Sequence, residues 1–149
     1  MKEVFEYRTR IPAPAERVFA WHERPEALRK LIPPGDPVEV VEHTGGIRDG
    51  ARVVLAMGYG PFRLRWVARH KNYVAERQFT DFQEEGPFKF WEHTHVIEPD
   101  GPDACFLLDH VEYELPFGAV GRVLGGGFVK RKLEKTFAYR HGVALAENS

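Results

Sequence analysis

With 149 residues, 21 basic against 22 acidic side chains and a formal net charge of −1, the chain is expected to form one domain over residues 1–149 and lacks the basic footprint of a nucleic-acid binder. Its single cysteine, Cys105, excludes an intramolecular disulfide framework and a cysteine-based zinc site. The opening Met1 to Tyr7 has no apolar signal run and no segment approaches the roughly 20 apolar residues of a spanning helix, so a cytoplasmic protein without stable membrane insertion is expected.

Taken in order, Phe5, Tyr7, Thr9 and Ile11 alternate with charged residues, the period of a strand over Val4 to Ile11 with one dry face. Pro12 and Pro14 stop it, and Pro14 with Glu16 suits the start of a helix running through Val18, Phe19, Trp21 and His22 until Pro25. Leu28, Leu31 and Ile32 mark a second short helix, which Pro33, Pro34, Gly35 and Pro37 close. Six strand-like runs follow: Val38 to His43, Ala51 to Tyr59, Phe62 to Tyr73, Glu76 to Gln83, Phe88 to Ile97 and Cys105 to Leu115. The Gly- and Pro-rich breaks between them are mostly short, which predicts an antiparallel meander. In the third run, Phe62, Leu64, Trp66 and Ala68 share one side and Arg63, Arg65 and Arg69 the other, so the sheet should be wet on one face. Beyond Ala119, Val129, Leu133, Phe137 and Val143 recur at helical steps, and the glycines 125–127 predict a break or a start delayed to near Phe128.

The stretch Phe79 to His95 concentrates the chemistry. A Glu-Glu-Gly-Pro turn separates two strands, and Trp91, His93 and His95 occupy alternate positions on one face of the second. A five-residue loop ending at Phe88 would set Asp81 opposite Trp91 and keep the indole on the face of Phe79; a one-residue slip would reverse every side chain. His95 pairs naturally with Asp109 on the next strand, which also carries Val111 and Tyr113.

Such elements admit an α+β arrangement in which a curved antiparallel sheet wraps a long C-terminal helix and leaves an internal cavity. Several motifs carry a resemblance: Ile11-Pro-Ala-Pro-Ala-Glu-Arg-Val-Phe19, Phe79-x-Asp-x-Gln83 with Gly86-Pro-Phe88, Trp91-x-His-x-His95, Asp109-x-Val-x-Tyr113 with Leu115-Pro116, and Phe137-x-Tyr-Arg140. Over nearly its whole length the chain resembles the START-like, polyketide cyclase and dehydrase (SRPBCC) superfamily of helix-grip domains, in particular a bacterial subgroup of ligand-binding or cyclase-like proteins. That resemblance implies a helix-grip fold, with functions that range from lipid carriers and hormone receptors to aromatase/cyclases.

The expected function is binding of a small hydrophobic or amphipathic molecule between sheet and helix, by a monomer or homodimer. Trp66, Phe79, Trp91, Tyr113, Leu133 and Phe137 would form apolar walls, and Asp81, Gln83, His93, His95, Asp109 and Arg140 polar anchors. A competing reading is a cyclase or dehydrase in which His95 with Asp109 acts as base and Tyr113 as acid. The same groups can instead form a structural network that fixes register, or serve a domain that only pairs with another protein. His-x-His on a strand also spaces two imidazoles roughly 6.6 Å apart at Cα, suited to zinc or iron with Asp81 or Asp109 as third ligand, but neither metal nor cofactor is expected.

Overall fold

Proline and glycine positions set most element boundaries in the computed structural model, which describes Met1–Ser149. Strand β1 (Glu3–Ile11) ends at Pro12, and helix α1 (Ala15–His22) begins after Pro14 with Glu16 in its first turn, where the helix dipole favours an acid. A single turn, α2 (Ala27–Lys30), follows. The meander consists of β2 (Val38–Thr44), β3 (Arg52–Met57), β4 (Leu64–Val74), β5 (Gln78–Glu85), β6 (Phe90–Pro99) and β7 (Cys105–Glu114). The chain closes with α3 (Gly118–Asn148), and no helix is long and apolar enough to cross a membrane.

All seven strands form one antiparallel sheet in the order β1-β7-β6-β5-β4-β3-β2. β1 therefore lies beside the last strand, with Tyr7 opposite Asp109 and Ile11 opposite Cys105. Register shifts in β2 between Val40 and Glu42, and in the β4–β5 pair beside Asn72, give local irregularities of the kind that bend a sheet.

Two apolar clusters fill the inside. One packs α1 against one end of the sheet through Ile11, Val18, Phe19, Phe79, Ile97 and Leu107. The other joins the sheet to α3 through Phe5, Trp91, Val111, Tyr113, Leu133 and Phe137. Leu133, Phe137, His141, Ala144 and Asn148 are the buried stripe of α3, at steps of three and four.

Three sequence expectations require correction. The Asp81 pairing is shifted by two residues: Asp81 faces His93 and Phe79 faces His95, which preserves the shared face because a shift of two keeps strand parity. The cause lies in the loop, where the Gln83 amide donates to the Phe88 carbonyl at 2.7 Å and accepts from the Phe88 N–H at 3.1 Å. Phe62 lies outside the strand, in a short 3₁₀ turn (Gly60–Phe62) containing Pro61, which has no N–H to give a ladder, and its side chain is 82% exposed.

The third correction concerns α3, which starts at Gly118 rather than near Phe128. A Cβ at Gly125 would meet no atom within 4 Å, so glycine is not required there and the helix passes through it at an entropic cost only. Gly121 differs, since a Cβ there would collide with the Pro116 carbonyl oxygen as the chain turns from β7 into the helix through Phe117, whose φ is 67°. Replacing Gly125 by Ala should raise stability by about 1 kcal/mol. Gly121→Ala should lower it by about 1–3 kcal/mol through the enforced backbone shift. Denaturant midpoints of the two variants measure both, and equal shifts would refute this account of the helix start.

Candidate functional site

Strand alternation brings the polar groups together. Phe79 and Asp81 on β5, Trp91, His93 and His95 on β6, and Asp109 on β7 project to the concave side, where α3 adds His141. Asp109 is 4% exposed and takes three imidazoles: His93 Nε2 donates to Oδ1 at 2.6 Å, His95 Nδ1 lies 3.2 Å from Oδ1, and His141 Nε2 donates to Oδ2 at 2.6 Å. The other nitrogen of His141 meets the Thr9 hydroxyl of β1 at 2.7 Å. Asp81 accepts from His95 Nε2 at 2.8 Å and lies 3.5 Å from His93 Nδ1.

The two β6 histidines titrate in opposite directions. Burial opposes a charge on His95, but hydrogen bonds to Asp109 and then Asp81 outweigh it and push its pKa up to about 9. His95 is thus an imidazolium donating from both nitrogens, and its ring stacks on Phe79 with centroids 4.0 Å apart. His93 is pulled below its ordinary value by burial and by the neighbouring His95, so it is neutral near pH 7 with its proton on Nε2 toward Asp109. Its Nδ1 faces Asp81 Oδ2 at 3.5 Å. Burial would raise both carboxylates, yet the surrounding imidazoles hold Asp81 and Asp109 below the usual range. His22, at the end of α1, donates Nδ1–H to the Val18 carbonyl at 2.8 Å, and burial takes its pKa down to about 4.

This cluster forms part of the wall of a cavity of about 400 Å³ between the sheet and α3. Trp66, Phe79 and Trp91 line it from the sheet, the two indoles edge-to-face at 5.2 Å. Leu133, Phe137 and Arg140 line it from α3, and Asp81, His93 and His95 supply the polar lining. The remaining candidates sit elsewhere. Asp109 is one layer deeper, touching the cavity residues only through their rings. Tyr113 packs against Phe88 and Trp91 with centroids 5.9 and 6.3 Å away, and burial raises its pKa. Gln83 spends both ends of its amide on Phe88.

Three residues that the sequence did not mark as site candidates belong to the candidate site: His22 and His70, which line the cavity, and His141, which completes the Asp109 set. Only His141 had a sequence signal, since it follows Phe137 by one helical turn on the buried stripe. By donor type, Asp81, His93 and His95 could hold a metal ion, each offering an atom within 4.8 Å of the others. In the structure those atoms face one another as an ion-pair network.

The sequence pattern described as polyketide cyclase / dehydrase and lipid transport matches residues 11–140. Similar solved structures include a Thermus thermophilus protein, 24% identical, with a TM-score of 0.70 and 99% of this chain matched to 100% of that one. An aromatase/cyclase from a Streptomyces species is 15% identical, with a TM-score of 0.77 over 99% of this chain and 94% of that one. A START superfamily protein from Mycobacterium smegmatis is 16% identical, with a TM-score of 0.69 over 97% and 96%. At these identities the likeness shows the helix-grip fold. No curated protein matches the chain in sequence.

The opposed histidines predict a stability maximum near pH 6.5. Above it, the raised pKa of His95 means that the unfolded state loses its proton first, and the stabilisation it gives is lost as pH rises through about 9. Below it, the unfolded state protonates His22 and His93 while the folded state resists, so stability falls toward pH 4. Each limb should amount to about 2–3 kcal/mol. Urea unfolding at pH 4.5, 6.5 and 9 tests this, and His95→Gln should flatten the alkaline limb; an unchanged alkaline slope in that variant contradicts the assignment.

Proposed function

The chain belongs to the polyketide cyclase, dehydrase and lipid transport family, and from that premise we propose that it binds one small hydrophobic or amphipathic molecule in the cavity between the sheet and α3. The observation that carries the reading is the cavity itself. Its volume of about 400 Å³ falls within the roughly 300–1,000 Å³ of small-molecule sites, and it combines aromatic walls with a few convergent polar groups. A side-chain network serving only to fix strand register has no need of that open volume beside it. The near-balanced charge of the chain also favours a small molecule over a polyanion as partner.

A second reading, cyclase- or dehydrase-like proton transfer, is favoured by one specific feature: His93 and His95 lie side by side on the cavity wall in different protonation states, ring centroids 3.7 Å apart. A bound carbonyl compound would have to take the place of Asp81 beside these rings, because Asp81 accepts from His95 Nε2 and lies 3.5 Å from His93 Nδ1. The imidazolium and the neutral imidazole would then form the acid and base pair that enolisation or dehydration needs. In this version His95 acts as the acid and His93 as the base. The buried Tyr113 phenol takes no part, and Asp109 orients the rings. An aromatase/cyclase shares the fold, which is consistent with such chemistry.

Binding is measurable without knowledge of the natural ligand. The neutral probe N-phenyl-1-naphthylamine should bind at a 1:1 ratio with enhanced fluorescence and quench the emission of Trp66 and Trp91. Leu133→Phe, which enlarges a side chain lining the cavity, should weaken that binding about tenfold with the melting temperature held within a few degrees. Binding of equal strength in the filled variant, or none in the parent, would contradict the cavity reading.

A further inference from the structure

Three buried side-chain nitrogens have no hydrogen-bond partner in the protein: His70 Nδ1, Trp91 Nε1 and Arg140 Nε. All three belong to residues that line the same cavity between sheet and α3. Buried polar atoms are rarely left unpaired, and their clustering around one space asks for a common explanation.

Two of the three can only donate, because an indole N–H and a guanidinium N–H carry no available lone pair. Arg140 narrows the choice further. It makes no salt bridge, whereas Lys132, two turns earlier on α3 and also lining the cavity, is paired with Asp36 at 3.0 and 3.1 Å. Of the carboxylates whose charge bears on Arg140, Asp109 and then Asp81 are already engaged by histidines, and Asp36 is held by Lys132. The guanidinium is steadied by the Phe137 ring, 5.2 Å from its central carbon, and stays charged although burial lowers its pKa. A half-buried arginine, with the carboxylates nearest it occupied, thus faces a space walled largely by apolar side chains.

Resting on the cavity reading above, we infer that the ligand is a hydrophobic carboxylic acid, bound as its carboxylate with the anionic oxygens on Arg140 and Trp91 and its apolar body against the aromatic wall. The planar guanidinium fork matches a planar carboxylate, and the indole N–H offers a further donor from the sheet side. The aromatic lining, with Trp66, Phe88 and Phe137, favours an aryl or unsaturated acyl body.

The test compares 2-naphthoate with 2-naphthamide, two molecules of nearly the same shape that differ in charge, by calorimetry at pH 7 on the full chain. The parent protein should prefer the acid by about tenfold or more, the range of a charge-assisted hydrogen bond. Arg140→Gln should abolish that preference, weakening acid binding far more than amide binding, and Trp91→Phe should reduce acid binding without removing the preference altogether. Equal affinity for acid and amide in the parent, or a preference that survives Arg140→Gln, overturns the inference and leaves the cavity reading standing. So does failure of both naphthyl compounds in a protein that still binds the neutral N-phenyl-1-naphthylamine. Failure of all three probes removes the cavity reading itself. Melting curves of both variants establish that they are folded, and Arg140→Lys, which keeps the charge but not the fork, should retain part of the preference.

Discussion

A carboxylate set among aromatic rings holds this structure to one arrangement. Removing Asp109 from water costs several kcal/mol, and only a full set of donors offsets that cost. His93 and His95 reach it from β6 and His141 from α3, while Thr9 on β1 holds the far nitrogen of His141. Three strands and the long helix are thereby tied to one oxygen pair. A slip of β6 by a single residue would turn both its imidazoles to the convex side and leave the carboxylate buried without two of its partners. Register and helix docking are specified together, at a point where the two apolar clusters meet: Phe79 of one stacks on His95, and Phe137 of the other lies 5.1 Å from His93.

The cavity has a simple geometric origin. A seven-stranded sheet is wider than one helix, and α3 packs closely only over β1 and the strands beside it. Toward β3 and β4, the side chains that face inward include Val53, Leu55 and Ala68, too small to close the remaining gap. The same curvature that lets the sheet grip the helix at one edge therefore keeps it away at the other. Arg140 and Trp91 line this opening together with His93 and His95, while Asp109 and His141 lie outside its lining.

The fold was legible because its signals are local and periodic: alternation marks strands, proline and glycine mark their ends, and the motifs from Ile11 to Arg140 carry a family resemblance. That Trp91, His93 and His95 share one face followed from parity. That the face points inward rested on the choice of a five-residue loop keeping the indole beside Phe79, and it survives a two-residue difference in pairing because such a shift preserves parity. The pairing itself depended on Gln83 binding Phe88, a side-chain contact with no periodic trace. His22 and His70 were invisible for a similar reason, since a lone histidine on a helix or strand has no spacing partner until the sheet curves. The glycines of α3 misled because their cost was taken without knowing that Gly125 faces open space. Tyr113 was given a place at the cavity on correct parity, but the depth of a side chain along one face is a tertiary property that alternation does not encode.

Acceptors and donors are distributed unequally across the candidate site, and that inequality separates the groups the protein satisfies itself from those it leaves unpaired. On the Asp81 and Asp109 side every carboxylate is met by imidazoles, so the network is satisfied by the protein's own groups. On the side of Trp91 and Arg140 the buried donors have no acceptor. Had the whole constellation existed only to lock register, both sides should be equally complete, because an unpaired buried donor costs about 1–3 kcal/mol with no return in specificity. A site built to recognise a ligand leaves such groups incomplete where the ligand supplies the missing atoms. On the proposed reading the histidines beside it have a second role, since the set that fixes the strands also holds one imidazole charged and one neutral at the wall of the cavity.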